Sequence, residues 1–207
     1  AVVSVGAPPL MPFAADASIF LAVEGGRVWR CVPTGPVEAV ATLGGEPWGR
    51  VALERAEELP GGERAVALYE LTLAAFLAAA GRRLSLVTAE HARTRRQFGQ
   101  VIGEFQAVAH PLADCATRLG SATALARSAA FHFEAGAPRA RAIAGAARLS
   151  AHRAAVEAAH TCHQLFGAIG ITMEGPAFHL SRRILQLAIQ PPGEEGARTS
   201  LLAHFGL

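Results

Sequence analysis

Arg93, Arg95 and Arg96 crowd a corner where the chain turns through Phe98 and Gly99. Guanidinium groups present fork-shaped donors that match phosphate oxygens through charge-assisted bonds. Three cations closing a helical pattern also suit the negative end of a helix dipole, so both readings stand. Farther along, Gln164-Leu165-Phe166-Gly167-Ala168-Ile169-Gly170 carries a Gly-x-x-Gly spacing. Glycines there would let backbone approach a phosphate or nucleoside, or would simply cap a helix. His160, Cys162 and His163 are metal-binding types, but Cys162 leaves the face two histidines share, and no fourth ligand accompanies them. Packing and polar surface, with no metal, is the expectation. All 19 basic side chains are arginine, which excludes Schiff-base chemistry on lysine.

Composition frames what must position these groups. Apolar residues make up 51% and charged residues 17% of 207, the balance of a well-packed globular chain. A net charge of +2 argues for neither nucleic acid nor an anionic membrane as partner. No apolar run approaches the roughly 18–20 residues that span a bilayer. No basic segment followed by an apolar one opens the sequence, so no signal peptide is expected. Cys31, Cys115 and Cys162 are odd in number and scattered, which suits a reduced, cytoplasmic protein.

Two periods divide the chain. Residues 1–58 read as strands, with candidates at Ser18 to Val23, Arg27 to Val32, Val37 to Leu43 and Trp48 to Leu53. Gly25-Gly26 suits a two-residue hairpin connection. After Pro60-Gly61-Gly62, residues 63–207 read as helical. Ala75, Ala78, Leu84 and Val87 mark one helix. Ile102, Phe105, Val108, Ala109, Leu112, Cys115, Ala116 and Leu119 mark a second, and Ile143, Ala147, Ala154 and Ala158 a third. A last helix is expected from Glu195 to Phe205. The fold class predicted is α+β: a partial antiparallel β-domain followed by an antiparallel four-helix bundle, its many alanines permitting close helix approach.

Arg95-Arg96-Gln97-Phe98-Gly99 resembles the Arg-x-Gln-Phe-Gly signature of the acyl-CoA dehydrogenase family, and Gln164 to Gly170 resembles that family's second signature in order and spacing. Ala168 stands where the family usually has a further glycine. Phe13-Ala14-Ala15-Asp16, Phe105-Gln106 and the run from Ala107 to Asp114 add weaker matches. The resemblance implies FAD as cofactor, with Arg95 on its pyrophosphate, Phe98 shaping the cleft, and Gln164, Gly167 and Gly170 forming a second cofactor element. It also implies that an N-terminal helical domain and early β-strands lie outside this sequence or come from a partner.

The catalytic base is the discrepancy. Removing the α-proton of an acyl thioester while hydride leaves the β-carbon needs a positioned carboxylate. The family's usual glutamate position falls near Ile189 and Gln190. Members with the base on the first bundle helix point to Tyr69 or Glu70, and Glu70 is the catalytic candidate here. Glu194 and Glu195 are weaker ones, and Glu174 matches a structural position. The resemblance thus implies a subunit supporting α,β-desaturation of an acyl-CoA substrate within a homo- or hetero-oligomer, a tetramer in the family. The alternatives are a self-sufficient dehydrogenase using Glu70, and a non-catalytic assembly subunit without flavin.

Overall fold

The computed structural model describes every residue except Gly25, Leu43, Gly44, Pro192 and Leu207. Seven strands precede the first helix: β1 (Val3–Gly6), β2 (Leu10–Pro12), β3 (Ile19–Glu24), β4 (Arg27–Pro33), β5 (Glu38–Val40), β6 (Trp48–Arg50) and β7 (Leu53–Glu58). They form a four-stranded sheet ordered β1-β3-β4-β7 and a three-stranded sheet ordered β2-β6-β5. Met11, Ala14, Phe20, Ala22, Cys31 and Val51 make their common core. Phe20 and Ala22 point inward at alternate positions of β3, whereas the buried Val28 and Cys31 of β4 lie three apart, across a register shift between Arg30 and Cys31.

Three details depart from the sequence expectation. The β-region is not purely antiparallel, because β1 pairs with β3 in parallel. The segment expected as one strand from Trp48 to Leu53 divides at Val51, whose N–H bonds to Pro9 O, so β6 and β7 serve different sheets. Only Glu38–Val40 of the candidate reaching Leu43 is strand, and Leu43 lies outside the described residues, as does Gly25 of the expected turn.

Helices follow: α1 (Gly62–Thr94), α2 (Gln106–Glu134), α3 (Ala140–Phe166), α4 (Pro176–Ala188) and α5 (Gly193–His204). Between α1 and α2 sits a small hairpin, β8 (Arg96–Gln97) and β9 (Gln100–Val101). Contacts fix the helix directions. Glu70 meets Gly145, Gly81 meets Ala155, and His91 stacks on Phe166, a nearly constant offset that makes α1 and α3 parallel. Gly81 also meets Leu119 and Ala92 meets Gly103, so α2 runs opposite to α1. Arg148 reaches Gln190 and Pro191 while His152 reaches Ala188, so α4 runs opposite to α3. The four form an up-down-up-down bundle, and α5 lies against α3.

Small side chains set the spacing in its centre. Ala74, Ala78, Ala144, Ala147, Ala151, Ala155 and Ala158 are buried, which lets the backbones of α1 and α3 approach closely. An apolar 18-residue window of α1, mean hydropathy 1.4, is long enough to cross a bilayer, contrary to the sequence reading. Half of that window is buried inside the bundle, which accounts for its composition. The start of α2 is barer than its periodicity suggests: Val108 and Leu112 are half-buried, whereas Cys115 and Leu119 are buried.

The seam makes a sharp prediction at Gly81. Helix propensity alone favours Gly81→Ala by about 1 kcal/mol. A methyl there would lie 2.5 Å from Leu119 Cδ2 and 3.3 Å from Ala155 Cα, and only the leucine can yield easily. Overpacking of this kind costs about 1–3 kcal/mol. Gly81→Ala is therefore expected to lower stability in urea unfolding, reversing the sign that propensity gives.

Candidate functional site

The arginine corner is a tight hairpin. Phe98 and Gly99 both take positive φ, 52° and 86°, the pattern of a two-residue turn matched to strand twist. Arg96 pairs with Val101 and Gln97 with Gln100, while Ile102 N–H bonds back to Arg95 O at 2.8 Å. A phenylalanine in the left-handed region is strained by about 1–3 kcal/mol. Its ring is also 93% exposed, with Phe105 edge-on at 6.1 Å. A strained, bare aromatic at a hairpin tip gains nothing for this chain alone.

The three arginines separate by their partners. Arg93 pairs with Glu90 at 3.5 Å, and Arg96 donates to Gly99 O at 3.1 Å within the hairpin. Arg95 is exposed, and among the described residues its guanidinium makes neither a hydrogen bond nor an ion pair. Only its backbone is engaged, through N–H to His91 O at 2.9 Å.

His91 joins this corner to the glycine loop. Its ring stacks on Phe166 with centroids 4.4 Å apart, and Phe166 directly precedes Gly167. Gln164 is exposed on the last turn of α3, and Gly167 N–H bonds to Gln164 O. Gly167 has φ 65° and ψ −141°, a backbone state that side chains resist, with open space where a Cβ would stand. Gly170 differs from the sequence expectation. It is buried, and a Cβ would lie 2.7 Å from His163 O, so it folds the loop against α3 instead of facing outward. Ala168 is exposed. The start of α2, without a side-chain cap, brings free amide N–H groups to the same end of the bundle.

Residues considered for the base meet at the other end of α1, about 38 Å from Arg95 at 1.5 Å per residue. Tyr69 OH donates to Gln190 Oε1 at 3.2 Å, so two alternative base positions are neighbours. Beneath them Arg148, 1% exposed, donates to Pro191 O at 2.9 Å and to Gln190 O, and lies over the Tyr69 ring at 5.7 Å. Glu70 is 2% exposed and faces α3, with Arg141 Nε at 3.8 Å and Gly145 against it. Burial raises its carboxyl above the ordinary range, and Arg141 and Arg148 only partly offset this. Burial likewise pushes the Tyr69 phenol up to about 12, so it stays protonated at neutral pH.

The remaining candidates are committed elsewhere. Glu194 is held ionised by Arg153 at 2.7 Å, with His152 at 3.3 Å, and Glu195 by Arg198. Glu174 and Gln106 are exposed. Cys162 is fully buried, its thiol pushed up to about 11 by burial. Among the described residues no three His, Cys, Asp or Glu side chains gather to hold a metal. Sequence reasoning missed Arg148, because an arginine in a helix reads as solvated surface.

The class is an up-down helical bundle behind small sheets, with an unpaired arginine and an open glycine at one end of the bundle. The chain belongs to the acyl-CoA dehydrogenase family: the family model "Acyl-CoA dehydrogenase, C-terminal domain" matches residues 66–201. It is 34% identical over 164 residues to the acyl-CoA dehydrogenase IpdE2 of Mycobacterium tuberculosis, covering 76% of this chain and 48% of that protein. The fold matches the ChsE4-ChsE5 complex from the same species with TM-score 0.77 and 23% identity, over 99% of this chain and 62% of that one. It matches PigA, solved with FAD and proline, with TM-score 0.80 and 19% identity, over 100% and 63%. The chain thus spans about half the length of IpdE2 and under two thirds of these solved chains.

His91 gives a pH prediction. Burial first, then Arg95, holds its imidazole below the ordinary 6.5. Between that depressed value and 6.5 the unfolded chain binds a proton that the folded chain refuses, so stability rises with pH. Stability is therefore expected to fall as pH drops below about 6.5, and His91→Phe, which keeps a ring on Phe166, should flatten that part of a denaturation-versus-pH profile.

Proposed function

We propose that this chain is a flavoprotein subunit supporting α,β-desaturation of an acyl-CoA thioester inside a homo- or hetero-oligomer. It lends Arg95 and the Phe98 hairpin to FAD, while a carboxylate on another subunit takes the proton. The observation that carries this is the division of labour among the arginines. Two are satisfied locally, and the one at the signature position is left bare beside an exposed aromatic. The family generally uses FAD, and the residues fit its diphosphate: a free guanidinium, uncapped helix amides and an open glycine share one end of the bundle. Bound FAD would accept the hydride from the β-carbon. Arg95 would hold its diphosphate in place, Phe98 would exclude water beside it, and Gln164 and Gly167 would border the nucleoside.

A general base must reach its proton at hydrogen-bond distance. Glu70 faces the α1–α3 seam and is paired with Arg141, and Gln190 cannot take a proton usefully. The ChsE4-ChsE5 complex is an assembly of two differently named chains, a precedent for dividing these roles.

Arg95→Ala in the native assembly is expected to leave the unfolding free energy within about 0.5 kcal/mol of wild type, since an exposed, unpartnered side chain is removed. Bound flavin, read from visible absorbance after gel filtration, should fall at least tenfold. Unchanged flavin content would defeat the proposal. Phe98→Asn should relieve the left-handed strain by about 1 kcal/mol while also reducing flavin retention. Glu70→Gln should keep wild-type turnover wherever the assembly forms; a loss of several orders of magnitude with flavin retained would assign it as the base and favour the self-sufficient alternative. An assembly that never carries flavin would instead identify a non-catalytic subunit.

A further inference from the structure

His91 ties together two loops that leave the bundle from different helices. Its carbonyl oxygen accepts Arg95 N–H at 2.9 Å and Thr94 Oγ1 at 3.2 Å, so the arginine hairpin is rooted on this residue. The far side of the hairpin closes on the same turn of α1: Ala92 is buried, and a Cβ on Gly103 would lie 3.0 Å from Ala92 O. The His91 ring stacks on Phe166, with centroids 4.4 Å apart and planes 22° from parallel. Phe166 is buried and ends α3. Gly167 then turns the chain at φ 65°, and Gly170 packs back on His163 O, so the glycine loop goes where the end of α3 goes.

A dinucleotide that touches both loops needs them at one separation. Gly81 meets Ala155 about 20 Å back along α1, at 1.5 Å per residue, and over such a length two helix ends can splay. Thr88 and Cys162 meet nearer the end through a hydroxyl–thiol contact. The His91–Phe166 stack is the next contact outward, placed where both helices finish. An aromatic pair prefers a particular separation and tilt, which a contact between aliphatic side chains lacks. Burial first, then Arg95, holds the imidazole below its ordinary pKa, so near neutral pH the ring adds no second charge beside the guanidinium.

We infer that His91 is a positioning residue for cofactor binding: its stack on Phe166 sets the distance between the arginine hairpin and the glycine loop, so that one dinucleotide engages both. His91 acts through Arg95 and Gly167. The inference rests on the reading of Arg95 as a ligand of the FAD diphosphate, and it gives the imidazole a role that this reading does not itself require.

The experiment titrates FAD into the flavin-stripped native assembly, followed by flavin fluorescence, with urea unfolding of each variant alongside. His91→Ala should weaken FAD about tenfold, the upper end of what one aromatic pair supplies. Phe166→Ala should do the same, and the double variant should lose no more than either single one, because both act through one contact. His91→Phe keeps a ring on Phe166 and should bind FAD within about twofold of wild type. Gly81→Ala, destabilised in the seam and remote from the corner, should keep wild-type affinity and so separates positioning from general loosening. Should His91→Ala not fold, His91→Leu keeps the bulk without the flat ring and takes its place. Wild-type affinity in the His91 variant, with FAD lost in Arg95→Ala, would overturn the inference and leave the role of Arg95 standing. Unchanged affinity in both would remove the role of Arg95 and the inference with it. Equal losses in Gly81→Ala and His91→Ala, additive losses in the double variant, or no recovery in His91→Phe would each reduce the stack to bundle stability and overturn the inference.

Discussion

The parallel seam between α1 and α3 is the contact on which the remaining arrangement depends. Antiparallel neighbours would place the end of one helix beside the start of the other. Here the two helices are diagonal members of an up-down-up-down bundle and run the same way, so both C-termini arrive at one end. Only small residues allow that diagonal pair to touch. Gly81 on Ala155 and Gly145 on Glu70 are contacts that a leucine at either glycine would abolish. The seam then ends on the His91–Phe166 stack, which fixes the angle at which the arginine hairpin and the glycine loop leave the bundle.

Two helix C-termini at one end carry partial negative charge. The structure offsets this in three ways. Arg93 and Arg96 neutralise the helix end and hairpin locally, the start of α2 brings amide donors, and Arg95 remains uncommitted. Burial and Arg95 together keep His91 neutral near physiological pH, so the imidazole acts as a flat stacking surface between the two elements. At the opposite end the polar groups serve packing. Arg148 sits in the bundle because the carbonyls of Gln190 and Pro191, just beyond α4, accept its hydrogen bonds, and Tyr69 and Glu70 lie close enough to stabilise its charge.

Much of this was legible in residue order. The period change near Pro60, the three long helices and the breaks at Gly99 and Gly136 follow from patterning and turn chemistry, and the family follows from two short signatures. Other features were not legible, for physical reasons. Leu53-Glu54-Arg55-Ala56-Glu57-Glu58 has no strand period, yet forms β7 through partners on other strands: Arg55 pairs with Glu24 and lies 5.1 Å over Trp29, and Glu58 pairs with Arg27. Alanine periodicity announces helices but not which alanines meet. Gly170 shows the same limit: a glycine needed for close packing and one needed for a ligand are identical on paper, and only the 2.7 Å approach of His163 O separates them.

The base question turns on the same kind of distinction. A glutamate one residue from the expected position is an attractive candidate in a sequence, because a helix can be misread by one residue without penalty. In the structure that residue is a rotation of about 100°, and it decides which environment the side chain enters. Tyr69 turns to Gln190, whereas Glu70 turns into the seam against Gly145 and Arg141. Burial raises the pKa of a carboxylate in the seam and two guanidinium groups partly offset this, which suits a structural pair. The group that does meet Gln190 is a phenol kept protonated by burial, which can donate a hydrogen bond there and cannot act as a carboxylate would.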